Sequence, residues 1–447
     1  MGAEGAEAAD LDLAGPAGPA PAVPAGADGV GVVVLVAMGH GGEIGGGLQP
    51  VNVAAEISAG SGAAEAPYSP FMERLPRYRT GDPELDAAIA ELVTRAGPVE
   101  HVDLVFEMIV SALRMARDGA ARGDFKIANS ALKEMRYAFH VFAPYRGQRK
   151  VAIFGSARTM PEDPLYEQAR ALAAAMAERD WMVITGAGPG IMSAGIEGAG
   201  TENSFGVNIR LPFEAATSQF IADDPKLINF RYFFTRKLAF IKESHGFVLL
   251  PGGFGTMDEA FELLTLVQTG KSHPAPVVLL EVPGGTYWAS WKRFVEDELM
   301  VRRLISPNDL DLVHITDDVD DAVREIEGFY SNYHSIRFVD RALVIRLRGL
   351  PSDEELERLN EDFADIVTTG RIEPAQASPA EIADRDHVEL ARLRLRFDRT
   401  HWARLRKLID AVNHPSSTDG TSRPAPVVSD QPDTVSGDAG PNAPGVD

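Results

Sequence analysis

The chain has 447 residues, no cysteine and a formal charge of −22, with 45% apolar and 24% charged residues. That length suits two or three domains, and that composition supports an ordinary buried core. The missing cysteine excludes disulfides, cysteine-ligated zinc and thiol catalysis, and the acidic balance argues against a general binder of nucleic acid or anionic membrane, which needs a basic face.

Residues 1–66 carry eight acids and no Lys or Arg, and are dominated by Ala, Gly, Pro and Val. They hold too few bulky apolar side chains to offset the entropy of ordering, so disorder is expected there, as it is for the Pro/Ser/Asp/Gly-rich tail 414–447. The two ends leave a charge of about −10 for the remainder. The apolar run Val30 to Met38 is too short to span a bilayer and lacks a basic lead, so a cytoplasmic location is expected. Met72 is an alternative start, which N-terminal sequencing of protein from the native host would decide.

Residues 67–147 read as helical. Leu85, Ile89, Leu92 and Val93 recur at helical spacing, as do Val105, Met108, Ile109 and Leu113, and then Ile127, Leu132, Met135 and Phe139. This predicts a helical layer packed on the segment C-terminal to it. From residue 149 the pattern becomes apolar runs alternating with amphipathic stretches. The runs are 150–154, 181–185, 205–209, 246–250 and 277–281. The intervening helices carry Leu165, Ala169, Leu172 and Met176, then span 191–199, about 235–244, and 257–269. Such alternation means a parallel sheet covered on both faces, and a doubly wound α/β (Rossmann-like) core is expected over 148–335. Residues 336–413 read as a small α+β module. It has strands over 342–348 and 390–397, a capping box at Ser352 and Glu355 opening a helix to about Thr369, and a helix over 402–412.

In a doubly wound sheet, ligands bind beyond the carboxyl ends of the strands. Three glycine-rich stretches fall there: Gly155-Ser156, Gly186 to Gly190, and Gly252 to Gly255. Glycines let backbone approach a phosphate, and a following helix N-terminus favours negative charge. Gly155-Ser156 could equally be a tight βα turn. Gly186-x-Gly188-x-Gly190 lacks the dinucleotide spacing, and Thr185 stands where an acid would be wanted, so a nicotinamide cofactor is not expected. The strongest stretch is Pro251-Gly252-Gly253-Phe254-Gly255-Thr256-Met257-Asp258-Glu259. Thr256-x-x-Glu259 is itself a capping box, the plain reading. Against it stand the three glycines and Arg236-Lys237, cations placed near a helix start where the dipole opposes them. Arg236 could instead form a surface pair with Glu243 or Asp258.

The order Arg236-Lys237, then P-G-G-F-G-T-M-D-E at 251–259, resembles the LOG (Lonely Guy) phosphoribohydrolases, often mislabelled lysine decarboxylases. Thr185-Gly-Ala-Gly-Pro-Gly-Ile-Met192 resembles the first glycine-rich loop of longer bacterial members, the nucleotide 5′-monophosphate nucleosidases. The resemblance covers about 120–335. It implies hydrolysis of the N-glycosidic bond of a nucleoside 5′-monophosphate, AMP-type or cytokinin riboside monophosphate, to free base and ribose 5-phosphate, with no cofactor or metal. Glu259 is then the carboxylate that stabilises positive charge on the sugar and orients or deprotonates water. Arg236 holds the substrate and stabilises the departing base or the phosphate, and Lys237 adds positive potential. Gly252, Gly253, Gly255 and Thr256 bind the phosphate, flanked by Phe254, Met257 and Asp258. Ser156, Gly188, Gly190 and Thr265 contribute further contacts. A pyridoxal-phosphate lysine signature is not recognised. The resemblance also implies a homo-oligomer. The competing readings are a non-catalytic nucleotide sensor on the same fold and a nucleic-acid-handling relative.

Arg346 and Arg348 occupy one face of an expected strand, and Arg392, Arg394 and Arg396 one face of another. Neighbouring strands would crowd five like charges. Either nearby acids such as Glu354, Glu355 and Glu357 cover them, or they bind an anion, such as a phosphorylated-nucleotide effector.

Overall fold

The computed structural model describes residues 75–97, 100–210 and 218–414; the disorder expected for 1–66 and for the tail lies outside the described residues. A seven-stranded, all-parallel sheet is built from β1 (Lys150–Phe154), β2 (Met182–Thr185), β3 (Ser204–Ile209), β4 (Leu227–Phe230), β5 (Gly246–Leu249), β6 (Val277–Leu280) and β7 (His314–Thr316). Its order is β4-β3-β2-β1-β5-β6-β7. The chain winds outward in one direction from β1 to β4 and then restarts beside β1 with β5. The reversal leaves a crevice beyond the carboxyl ends of β1 and β5, where open α/β sheets place ligands. The protein has the expected doubly wound, Rossmann-like α/β core.

Both faces of the sheet are covered, which is why its strands read as continuous apolar runs. Val151 and Ile153 of β1 enter one core cluster, and Ala152 and Phe154 the other. The first cluster takes in α4 (Pro164–Ala177), α5 (Ile191–Ala199) and α9 (Val319–Gly328). On the opposite face, α3 (Arg122–Phe142) packs on β4 and on α6 (Phe233–Glu243), beside α7 (Phe254–Gln268) and α8 (Tyr287–Phe294).

Ahead of these, α1 (Pro83–Arg95) and α2 (Val102–Arg117) pair over a small core of their own, Ile89, Ala90, Val93, Phe106 and Val110. The expected helical stripe is therefore only partly buried: Leu92, Met108, Ile127, Leu132 and Phe139 stay exposed in the single chain. Periodicity identifies an apolar face, and what covers that face is a tertiary matter.

The second sheet is antiparallel, in the order β10 (Glu373–Pro374), β11 (Ala391–Leu395), β9 (Ala342–Leu347), β8 (Tyr333–Val339). Its inner residues Leu343, Ile345, Leu347, Leu393 and Leu395 join the same cluster as Val151 and Val248, together with Leu405 and Leu408 of α12 (Trp402–Asn413). α10 (Asp353–Asp362) opens with the Ser352/Glu355 capping box as expected but stops well short of Thr369.

The arginine crowding is resolved by acids other than those expected. Arg392 pairs with Arg346 in register across β11 and β9, and both side chains are almost wholly buried. The short helix α11 (Pro379–Asp384) lays fully buried Glu381 between them. Its carboxylate accepts from Arg346 Nε at 3.1 Å and from Arg392 Nε at 3.2 Å, and Asp386 also pairs with Arg346. Glu354 and Glu357 turn instead to Arg358 and Arg371. Removing one member of a buried ionic group strands the others in a medium that does not solvate them, typically costing about 3–5 kcal/mol. Glu381→Gln is expected to lower the unfolding free energy from urea denaturation accordingly, while Glu354→Gln, exposed, leaves it within about 0.5 kcal/mol.

Candidate active site

Three loops meet beyond the ends of β1, β2 and β5. The Ser156 amide donates to Pro251 O at 3.2 Å, and Ile191 N donates to Ser156 O at 3.1 Å. Gly190, with φ +67°, turns the second loop into α5, and a Cβ there would lie 2.3 Å from Ser156 O. Only glycine permits that turn against that neighbour. Two helices start at this junction, α5 behind Gly190 and α7 behind Gly253, and neither start is capped by a side chain. Orphan amides and the positive ends of two helix dipoles beside Ser156 make a cradle for an anion.

The capping-box expectation at Thr256 and Glu259 is corrected here. Gly253, extended, is the N-cap, so Thr256 lies inside the first turn of α7 and is buried. Entering the helix through two glycines moves the start upstream and releases Glu259 from any capping role. Its carboxylate accepts instead from Arg236 Nη1 at 3.2 Å. Arg236, from the first turns of α6, also donates from Nε to Val207 O at 2.9 Å, and lies over the Phe240 ring. A Cβ on Gly186 would sit 2.5 Å from its Nη2. The guanidinium is thus wedged between the second glycine loop, the end of β3 and Glu259. It is buried and pairs with Glu259, so it does not sit in the surface pair considered from sequence.

Burial pushes the Glu259 carboxyl up to about 7, with Arg236 pulling in the opposite direction and Asp258 adding to the rise. A carboxyl titrating near neutrality can exchange protons in both directions under ordinary conditions. Lys237 turns to the outer side of α7. Its Nζ lies 2.8 Å from Asp258 Oδ2 and 2.6 Å from Glu262 Oε2. Burial works against its charge, but these two acids hold the ammonium above the ordinary lysine value.

The other expected site residues fall around this cluster. Gly252, Gly253, Gly255 and Phe254 form the lip of the cradle, with the Phe254 ring almost fully exposed. Met257 packs against the core below. Gly188 lies next to Met192 on the second loop. Thr265 is apart from the cluster, one helical stretch along α7, its hydroxyl donating to Phe261 O at 2.6 Å.

Sequence reasoning missed Tyr287. Its hydroxyl donates to Gly252 O at 2.7 Å, and Glu281 fixes it by accepting from the amides of Tyr287 and Trp288. A trans peptide sets C=O and N–H in opposite directions, so pinning the Gly252 carbonyl aims the Gly253 amide the other way. Tyr287→Phe frees that peptide and is expected to raise the Kd for inorganic phosphate or a nucleoside monophosphate about fivefold by calorimetry, the equivalent of one net hydrogen bond.

Of the expected arginine group, Arg346 and Arg392 are committed to Glu381, and Arg348 Nε reaches Tyr330 O at 3.5 Å. Arg394 and Arg396 instead line an open cavity of about 250 Å³ with Arg371 and Glu373. The five do not converge on one site.

Fold and site together define a Rossmann-like protein with two uncapped helix starts and a buried Arg–Glu pair at the switch point. A family profile described as "Possible lysine decarboxylase" matches residues 190–326, which include both halves of that pair. Over this core the chain is similar to proteins of the LOG family. Similar curated proteins are the cytokinin riboside 5′-monophosphate phosphoribohydrolases LOG1 and LOG3 of Arabidopsis thaliana. LOG1 is 32% identical over 23% of this chain and 46% of its own length, and LOG3 is 34% identical over 21% and 42%. The probable phosphoribohydrolase LOGL3 of Oryza sativa is 40% identical over 16% and 33%. The matches span less than half the length of these relatives. Among solved structures, the molybdenum cofactor binding protein from Rippkaea orientalis is 18% identical over 40% of this chain and 96% of its own, with a TM-score of 0.30.

Proposed function

We propose that the protein hydrolyses the N-glycosidic bond of a nucleoside 5′-monophosphate, AMP-type or cytokinin riboside monophosphate, releasing free base and ribose 5-phosphate. The observation that carries this reading is the Arg236–Glu259 pair at the mouth of a two-helix anion cradle, with Glu259 titrating at about 7. The 5′-phosphate sits on the amides at Gly252 to Thr256, with Ser156 and Gly190 on the far side. As the C1′–N bond breaks, its electron pair leaves with the base and positive charge builds on the ribose. Ionised Glu259 stabilises that charge and takes a proton from the water whose oxygen bonds to C1′. Arg236 stabilises the negative charge accumulating on the base until the base takes up the proton that Glu259 removed from the water. Phe254, exposed on the lip, offers its ring to the base. Incubation with AMP, GMP, CMP and a cytokinin nucleotide, with assay of free base and ribose 5-phosphate, tests the reading. Binding without release would make the protein a nucleotide sensor instead.

The functional unit is proposed to be a homo-oligomer, supported by exposed Leu92, Leu104, Met108 and Leu132 on the N-terminal helices. Sedimentation analysis should find no monomer at micromolar concentration. A cytoplasmic location is proposed; among the described residues no helix is long and apolar enough to cross a membrane. The phosphorylated-nucleotide effector is proposed at Arg394 and Arg396 alone. Calorimetry with guanosine polyphosphates, showing heat that Arg394→Ala removes, would support it.

A further inference from the structure

Helix α6 begins in an electrostatically wrong way. It has no acid in its first turn, no side chain of its own caps it, and it carries Arg236 and Lys237 close to the positive end of its dipole. The compensation comes from α3, about a hundred residues earlier. The Glu134 carboxylate accepts from Arg231 N at 3.2 Å, Tyr232 N at 3.4 Å and the Thr235 hydroxyl at 2.6 Å. One side chain therefore satisfies the amides leading into the helix, binds the residue adjacent to Arg236, and puts negative charge where the dipole wants it.

We propose that Glu134 is a positioning residue for the site: it clamps the start of α6 so that the Arg236 guanidinium is held against Glu259. The proposal rests on the hydrolytic reading for its kinetic consequences, but its structural content stands apart from it. α3 lies outside the segment matched by the family profile, so this N-terminal helix supplies part of the site's support as well as sheet cover. Glu134 places its carboxylate at the start of α6, whereas the starts of α5 and α7 have no side-chain cap.

The test compares full-length wild type with Glu134→Ala, Glu134→Gln and Thr235→Val. Small misplacements of a transition-state group cost about tenfold or more in rate. Glu134→Ala is expected to lower kcat at least tenfold with KM within twofold, because the phosphate cradle is untouched. Its activity–pH curve should move to higher pH, because Arg236 no longer pulls the Glu259 carboxyl down as strongly. Glu134→Gln keeps an acceptor oxygen and should recover part of the loss; Thr235→Val should lose less than Glu134→Ala. A raised KM with unchanged kcat, or a loss in Glu134→Ala with the wild-type pH curve, overturns the proposal. Hydrogen exchange at the amides of residues 231–237 decides it independently of turnover. Faster exchange there in Glu134→Ala, with the amides of β1 unchanged, supports the clamp even if the wild type releases no base. Unchanged exchange overturns it whatever the activity does.

Discussion

Glu259→Gln is expected to cut release of free base by about 10³-fold, within the range that one positioned acid–base group supplies, while leaving nucleotide binding within a few fold. The amide has nearly the shape of the carboxyl and can still accept from Arg236, so the cradle keeps its geometry. What is lost is negative charge beside C1′ and a base for the water. The same group sets the pH curve. In the wild type, kcat/KM should fall with decreasing pH through about 7, because the ionised form is required. The residual rate of the Gln variant should lack that limb.

Stability gives a second, opposite readout. The folded-state carboxyl is raised from 4.5 to about 7, so folding favours the protonated form. Its stabilising contribution is complete below about 4.5 and is lost as pH rises through 7. Between those limits the difference amounts to roughly 3 kcal/mol at 1.4 kcal/mol per unit. Relative to wild type, Glu259→Gln should therefore gain stability on going from pH 4.5 to pH 8, measured by urea denaturation. A residue kept for the fold would show the reverse, and equal curves for the two proteins would remove the argument for a strained, functional carboxylate.

How much of the fold and site is readable from the residues depends on where their partners lie. β1, β2, β5 and β6 are covered on both faces and announce themselves as apolar runs. The edge strands β4 and β7 are three or four residues long, and β7, His314–Thr316, has no apolar run to read. α11 has six residues and carries an acid that is meaningful only beside arginines from two other strands. The pattern of Arg346 and Arg392 is therefore visible in the sequence, but its neutraliser is not. The glycine loops and the Arg236-Lys237 pair are legible because each is a local departure from what a helix start needs. Glu134 and Tyr287 are not, since an acid on a long helix and a tyrosine after a turn are ordinary until the fold brings them to the site. The capping box at Thr256 fails for a different reason. Two glycines let the helix start earlier than its polar pattern indicates, and that shift makes Glu259 available to Arg236.

Arg236→Ala carries the other large effect, an expected loss of about 10² to 10³ in kcat/KM at pH 7, comparable to removing one preorganised donor from a site of developing charge. Two contributions can be separated. Arg236 lowers the Glu259 carboxyl against the effect of burial; without it the carboxyl rises further and is largely protonated at pH 7. Raising the pH to 9 should then restore part of the rate in the variant, while wild type, half ionised at pH 7, gains only about twofold. The deficit that remains at pH 9 measures stabilisation of the departing base by the guanidinium itself. Arg236→Lys preserves charge but not the planar fork that spans Val207 O and Glu259, so it should keep the wild-type pH curve more nearly than Ala yet recover little of the rate. Full recovery of Arg236→Ala at high pH would reduce Arg236 to a tuner of Glu259. An Ala variant with the wild-type pH curve would break the coupling on which the site has been built. Folding should survive in either case, because at pH 7 a protonated Glu259 leaves no uncompensated buried charge behind.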